Sequence, residues 1–135
     1  MLVDSIMSRN VHCVLPSVSL EELCNIFKQV PYHHLLVVQE RELLGIISDR
    51  DVLRTSSPFI NTERATAQDQ ALLQTKAQEI MSTALITVQP DTLIDTAVIL
   101  LLEHSISCLP VVSNAEGIEG ILTWKDMLKY YVYIR

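Results

Sequence analysis

The chain has 135 residues, 49% of them hydrophobic, and a formal net charge of −6, which is one ordinary domain's length with enough apolar content for a solid core. The acidic balance disfavours generic binding to nucleic acid or to an anionic membrane surface, because a phosphate-driven interface needs clustered Lys and Arg. The longest apolar stretch, Ala97 to Leu102, is far short of the roughly 20 residues of a membrane span. Met1-Leu2-Val3-Asp4 lacks the charged head, apolar run and cleavage site of a signal peptide, so the expected location is the cytoplasm. Cys13, Cys24 and Cys108 fit that location as small buried hydrophobes.

Along the chain, Val11 to Leu15 predicts a strand closed by Pro16. Leu20, Leu23, Cys24 and Phe27 then recur at the spacing of an amphipathic helix, with Ser19 and Glu22 placed for a capping box. Leu35 to Val38 and Leu43 to Ser48 read as a hairpin around Gln39-Glu40-Arg41-Glu42. Thr55 to Pro58 reads as a loop, and Ala65 to Gln78 is rich in helix formers, so a helix is expected in this connector. A strand at Leu85 to Val88, a helix from Leu93 to Glu103 and strands at Cys108 to Val112 and Ile118 to Leu122 follow, the last two joined by a turn at Asn114 to Gly117. The tail from Lys129 to Arg135 carries Tyr130, Tyr131 and Tyr133, which serve either a subunit interface or the protein's own core.

The order repeats because the sequence repeats. Asp4-Ser5-Ile6-Met7-Ser8 returns as Gln78-Glu79-Ile80-Met81-Ser82, and Gly45 to Asp51 returns as Gly120 to Asp126. Met7 to Met81, Pro16 to Pro90 and Val37 to Val111 are all 74 positions apart. A unit of about 50 residues buries too little surface to stand alone, so two copies are expected to pack face to face. The expected organisation is an α/β fold of two pseudo-symmetric β-α-β-β-α repeats packed sheet to sheet: residues 1–56, a part-helical connector 57–76, and 77–135 with the Tyr-rich tail.

Ser48-x-x-Asp51 and Thr123-x-x-Asp126 each end a Gly-led strand and open a helical segment. A hydroxyl followed three residues later by an acid is a variant of the capping box, which needs no ligand. More recurs than a cap requires, however: Arg50 and Lys125 precede the acids, and Arg54 and Lys129 follow one turn later. A carboxylate can accept both hydroxyls of a ribose, and the hydroxyl, the basic side chain and helix-start N–H groups can hold a phosphate. An adenine-sized ring would lie against Val37, Val38, Val111 and Val112.

These residues resemble a tandem pair of CBS domains, named for cystathionine β-synthase and also called a Bateman module. The marks are the opening Ile-Met-Ser, the strand closed by Pro16 or Pro90, Ser107-Cys108-Leu109-Pro110-Val111-Val112, and Gly-x-x-Ser/Thr-x-x-Asp in both copies. The resemblance covers essentially the whole chain except the connector and the last few residues. It implies clefts for an adenosine-containing ligand such as AMP, ADP, ATP or S-adenosylmethionine, with Asp51 and Asp126 on the ribose and Ser48 and Thr123 on ribose or phosphate. Arg50, Lys125, Thr87, Pro110 and Val111 complete the expected ligand set. The first copy has Leu36 for Pro110 and Cys13 for Thr87, which makes the two clefts unequal. His33 and His34 are adjacent on a strand, point to opposite faces and cannot share one metal in the usual way, so no metal site is expected.

No nucleophile elbow, Gly-rich phosphate loop or metal-spaced Cys/His cluster is present, and acids beside Arg50 and Lys125 stay ionised rather than serving as general acids. The chain therefore reads as non-catalytic, requiring no cofactor. It is either a nucleotide sensor for a partner protein the sequence does not name, or a structural, dimerising adaptor with a vestigial cleft. A homodimer is expected through Val52, Leu53, Met127, Leu128 and the tail from Tyr130 to Tyr133.

Overall fold

A computed structural model of the chain describes residues 1–56, 63, 64 and 66–134. The chain divides into two compact α/β units, His12–Leu85 and the pair of segments Met1–Val11 and Ile86–Arg135.

In the unit His12–Leu85, β1 (Cys13–Val14) lies parallel to β2 (His34–Gln39), which pairs antiparallel with β3 (Glu42–Ser48). Glu40 and Arg41 close this hairpin in the left-handed region, at φ 51° and 68°, the twist a two-residue turn demands. Helix α1 (Leu20–Gln29) starts at Ser19, whose hydroxyl accepts the Glu22 N–H at 3.3 Å. Its Leu20 and Leu23 are fully buried with Leu35, Val37 and Ile47 of the sheet, because the 3.6-residue period puts them on one stripe. Helix α2 (Asp49–Thr55) follows β3 directly. The connector holds α3 (Ala67–Leu72), capped by Thr66 and Asp69, and α4 (Ala77–Ile80) follows it. The chain between them is stitched to the start of α1 by Leu20 N–H to Thr75 O at 2.7 Å and Ala77 N–H to Val18 O at 2.7 Å.

In the other unit, α5 (Ile94–Glu103), β4 (Cys108–Ser113), β5 (Gly117–Thr123) and α6 (Trp124–Lys129) repeat the order of the first copy. β4 and β5 pair antiparallel, and the register slips between Val111 and Val112 just as it does between Val37 and Val38. A five-residue wide helical turn, Tyr130–Ile134, ends the described chain, with the Tyr131 hydroxyl donating to Asp95 Oδ1 at 3.2 Å. Ile94, Ala97 and Leu101 of α5 pack with Leu109, Val111, Leu122 and Met127, and Val3 and Met7 from the chain's start join them.

The two Ile-Met-Ser segments therefore sit with the repeat they do not precede in sequence order. Ser8 exchanges two backbone hydrogen bonds with Ile121, both 2.9 Å, and Ser82 does the same with Ile46, at 2.9 and 3.1 Å. Gly120 and Gly45 make room for this, since a Cβ on Gly120 would meet the Ser8 carbonyl and Met7 Sδ, and one on Gly45 would meet the Met81 side chain.

Several expectations are corrected. The strand expected from Val11 to Leu15 has only two residues, and Leu85 to Val88 makes one parallel bridge, Val88 to Val111, held by the two backbone hydrogen bonds of Val88 with Pro110 and Val112. Thr55 is the last residue of α2 rather than loop, its hydroxyl bonded to the Asp51 carbonyl at 2.9 Å. Val52 and Met127, expected on a dimer surface, are 7% and 1% exposed and belong to their own units' cores. Ser57, Pro58, the rest of the connector through Asn61 and Thr62, Ala65 and Arg135 lie outside the described residues.

Candidate functional site

In the unit His12–Leu85, β3 delivers Ser48 to the N-cap of α2. The Ser48 hydroxyl accepts the Asp51 N–H at 3.1 Å, and Asp51 Oδ2 accepts the Ser48 N–H at 2.9 Å, a complete capping box. The cap uses Oδ2 alone. Asp51 Oδ1, partly buried, lies 3.9 Å from the exposed Arg54 guanidinium, a long and weak pairing. Arg50 is exposed beside it. Val37 and Leu36 are fully buried, and Cys13, opposite Leu36 in the parallel register, is exposed.

The second unit places the same chemistry on β5 and α6. Asp126 Oδ2 accepts both the Thr123 N–H at 2.9 Å and the Thr123 hydroxyl at 3.2 Å, so again one carboxylate oxygen serves the cap. Lys125 is exposed, and Thr87 is exposed next to Val88, which donates to the Pro110 carbonyl at 3.1 Å and accepts from Val112 N–H at 2.8 Å. Pro110 is buried and Val111 is fully so, hence they can only underlie a ligand in this conformation rather than present a wide face to it.

The structure thus brings Ser48, Arg50 and Asp51 together at one strand end. Thr123, Lys125 and Asp126 meet at the other, with Pro110 and Val111 on β4 of the same unit and Thr87 in the segment bridged to it through Val88. Helices α2 and α6 have seven and six residues, and the Asp51 N–H is already committed to Ser48, so their starts add little field for a phosphate. Positive charge must come from side chains.

Two residues of this neighbourhood gain their meaning from the register alone. Cys108 stands directly opposite Thr123, and His34 stands directly opposite Ser48, so the repeat places a thiol in one unit where it places an imidazole in the other. Burial, with the Asp126 carboxylate, pushes the Cys108 thiol up to about 12, which keeps it protonated and unreactive at neutral pH. Burial lowers His34 below the usual histidine range, opposed by Asp49 and Asp51 and reinforced by His33 and Arg50. The 74-residue offset that aligns the repeats pairs position 34 with position 108, and this was the signal available in the sequence. His33 Nδ1 makes a 2.7 Å contact to Asp49 Oδ2 in the open. Among the described residues no group of three or more His, Cys, Asp or Glu is placed to hold a metal ion, and no helix is long and apolar enough to cross a membrane.

Comparison with known proteins gives a family model described as "CBS domain" that matches residues 3–57 and again 77–133. The CBS domain-containing protein YhcV of Bacillus subtilis is 30% identical over 125 residues, 93% of this chain and 81% of that protein. The protein MJ1225 of Methanocaldococcus jannaschii is 27% identical over 131 residues, 96% of this chain; the chain spans about half of that relative, 47%. Among solved structures, the CBS domain pair of protein MJ0100 in complex with 5′-methylthioadenosine and S-adenosyl-L-methionine superposes with a TM-score of 0.80 at 25% identity, covering 100% of this chain and 98% of that one.

Proposed function

The chain belongs to the CBS domain family, and on that premise we propose that it is a regulatory module that binds an adenosine-containing ligand (AMP, ADP, ATP or S-adenosylmethionine) and passes its occupancy to a partner protein, without catalysing a reaction. The observation that carries this reading is the division of labour within each motif carboxylate: Oδ2 is spent on the cap, Oδ1 is not, and a cationic side chain stands next to it in sequence. An adenosine ribose needs such an acceptor, and the MJ0100 pair, similar along its whole length, is a complex with two adenosine-containing ligands.

The adaptor reading rests on the caps being complete without any ligand. The two readings separate on substitution. Because both caps are formed, Asp51→Ala and Asp126→Ala are each expected to lose about 0.5–2 kcal/mol without ligand. Asp→Asn at either position keeps a cap acceptor and should lose less. For a ligand at 100 times its Kd, mass action adds about 2.7 kcal/mol to the wild type, a rise of several degrees in Tm. The sensor reading expects that rise to shrink in both the Ala and the Asn variants, more strongly at Asp126, whose unit has Thr87 and Pro110. Calorimetric scans with each of the four ligands at millimolar concentration decide it: no shift in the wild type leaves the adaptor.

A homodimer is part of the same reading. Leu53 and Leu128 are 74% and 62% exposed on α2 and α6, and Val132 and Tyr133 of the tail are 69% and 81% exposed. That is apolar surface a second copy could cover. Light scattering behind gel filtration should return twice the chain mass at micromolar concentration, and Leu53→Glu with Leu128→Glu should return the monomer. A wild-type monomer across that range removes the dimer from the proposal.

A further inference from the structure

The two units differ in chemistry at the position opposite the capping hydroxyl. In antiparallel pairs, residues directly opposite project on the same face with Cβ atoms about 4.5–5.5 Å apart. His34 is therefore a cross-strand neighbour of the capping Ser48, as Cys108 is of Thr123. The Asp49 N–H donates to the His33 carbonyl at 3.0 Å, which ties the start of α2 to the beginning of β2. The charged groups around the imidazole are Asp49, Arg50 and Asp51 of α2 and His33 just before its own strand. They comprise two acids, one permanent cation and one titratable neighbour, so the local balance is poised to change when a further anion arrives.

Resting on the nucleotide reading above, we infer that His34 is the specificity-determining residue of the His12–Leu85 site: it takes up a proton when a phosphate-bearing adenosine ligand binds beside Ser48 and Asp51. That site then favours phosphate-bearing ligands over the cationic S-adenosylmethionine, increasingly so as pH falls. The Thr123–Asp126 site, with an inert thiol in the same place, does not share the dependence. The sign follows from linkage. Without ligand, burial keeps His34 neutral near pH 7 and holds its pKa low. A bound phosphate stabilises the imidazolium and raises that pKa. Binding then takes up a proton between the free and bound values, and by reciprocity affinity rises as pH falls through that window, by at most about tenfold per pH unit for one proton.

The experiment uses the full chain carrying Asp126→Asn, so that the second site is silent, and titrates AMP and S-adenosylmethionine calorimetrically from pH 8 to pH 5.5. The phosphate itself titrates near 6, so the quantity read is the ratio of AMP affinities between this protein and the same protein with His34→Gln, in which the ligand's own titration cancels. The ratio is expected to grow several-fold toward low pH, and S-adenosylmethionine to show no gain. His34→Arg should bind AMP tightly with a ratio independent of pH, which a merely structural role for His34 would not produce. Should His34→Gln fail to fold, heats of AMP binding measured in buffers of different ionisation enthalpy report proton uptake in the unsubstituted residue directly. AMP binding with no proton uptake and a flat ratio overturns the role of His34 while leaving the nucleotide site intact. No binding of either ligand, here or in the chain with Asp126 restored, overturns the nucleotide reading and this inference with it.

Discussion

Removing residues 1–9 is expected to unfold the part of the chain from Ile86 onward first, although those nine residues precede the other repeat. Val3 is fully buried and Met7 is 9% exposed in the core built by α5, β4, β5 and α6. Losing a buried Val and Met of this kind costs roughly 4–8 kcal/mol, comparable with the whole stability of an ordinary domain, about 5–15 kcal/mol. The same deletion breaks Val3 N–H to Thr92 O, Asp4 N–H to Pro90 O and both Ser8–Ile121 bonds. Met7→Ala alone should cost about 2–5 kcal/mol. Hydrogen exchange read by peptide mass spectrometry checks the location: protection should fall earliest and furthest in Cys108–Ser113 and Gly117–Thr123. Equal loss across residues 13–48 and 108–123 would mean that the first segment supports the chain as a whole rather than this core.

A methyl group at Gly120 is the second large effect expected. It would stand 2.7 Å from the Ser8 carbonyl oxygen and 2.8 Å from Met7 Sδ, and the Ser8 backbone is pinned by two bonds to Ile121. Gly120→Ala should therefore cost about 1–3 kcal/mol by overpacking, with backbone movement inescapable. At Gly45 the three nearest atoms all belong to the Met81 side chain, with Sδ at 2.5 Å, Cγ at 2.7 Å and Cβ at 2.9 Å. Truncating that methionine removes the two nearest atoms, so Met81→Ala should partly rescue Gly45→Ala. Met7→Ala should rescue Gly120→Ala less, because the Ser8 carbonyl remains. Denaturant titrations of the two double-mutant cycles measure the couplings. Equal rescue in both would show that the Ser8 carbonyl yields as readily as a side chain.

The His33–Asp49 contact, by contrast, is expected to contribute little to stability. Both partners are open to solvent, 75% and 48% exposed, and exposed pairs of this kind are screened. Its interest is positional, since it sits at the junction of β2 and α2 where His34 and Ser48 also lie.

The duplication, most of the element order in each copy and the capping motifs that mark the candidate sites are legible in the residues alone. These are local or periodic properties: Leu20, Leu23, Cys24 and Phe27 lie on one helical stripe whatever surrounds them, and Ser48 and Asp51 can close a cap with no help from the rest of the chain. Which segments pair with which came from the three-dimensional packing. Ile6-Met7-Ser8 is too short for periodicity to name the sheet it joins, and it bonds to Ile121, more than a hundred positions away. Helices α2 and α6 are one to two turns long, so the apolar pairs Val52-Leu53 and Met127-Leu128 gave no preferred inward member until packing buried the first of each and exposed the second. The inequality of the two sites was visible as Cys13 against Thr87 and Leu36 against Pro110. That His34 and Cys108 flank the capping hydroxyls became visible only through the strand register, which decides which side chains of different strands share a face.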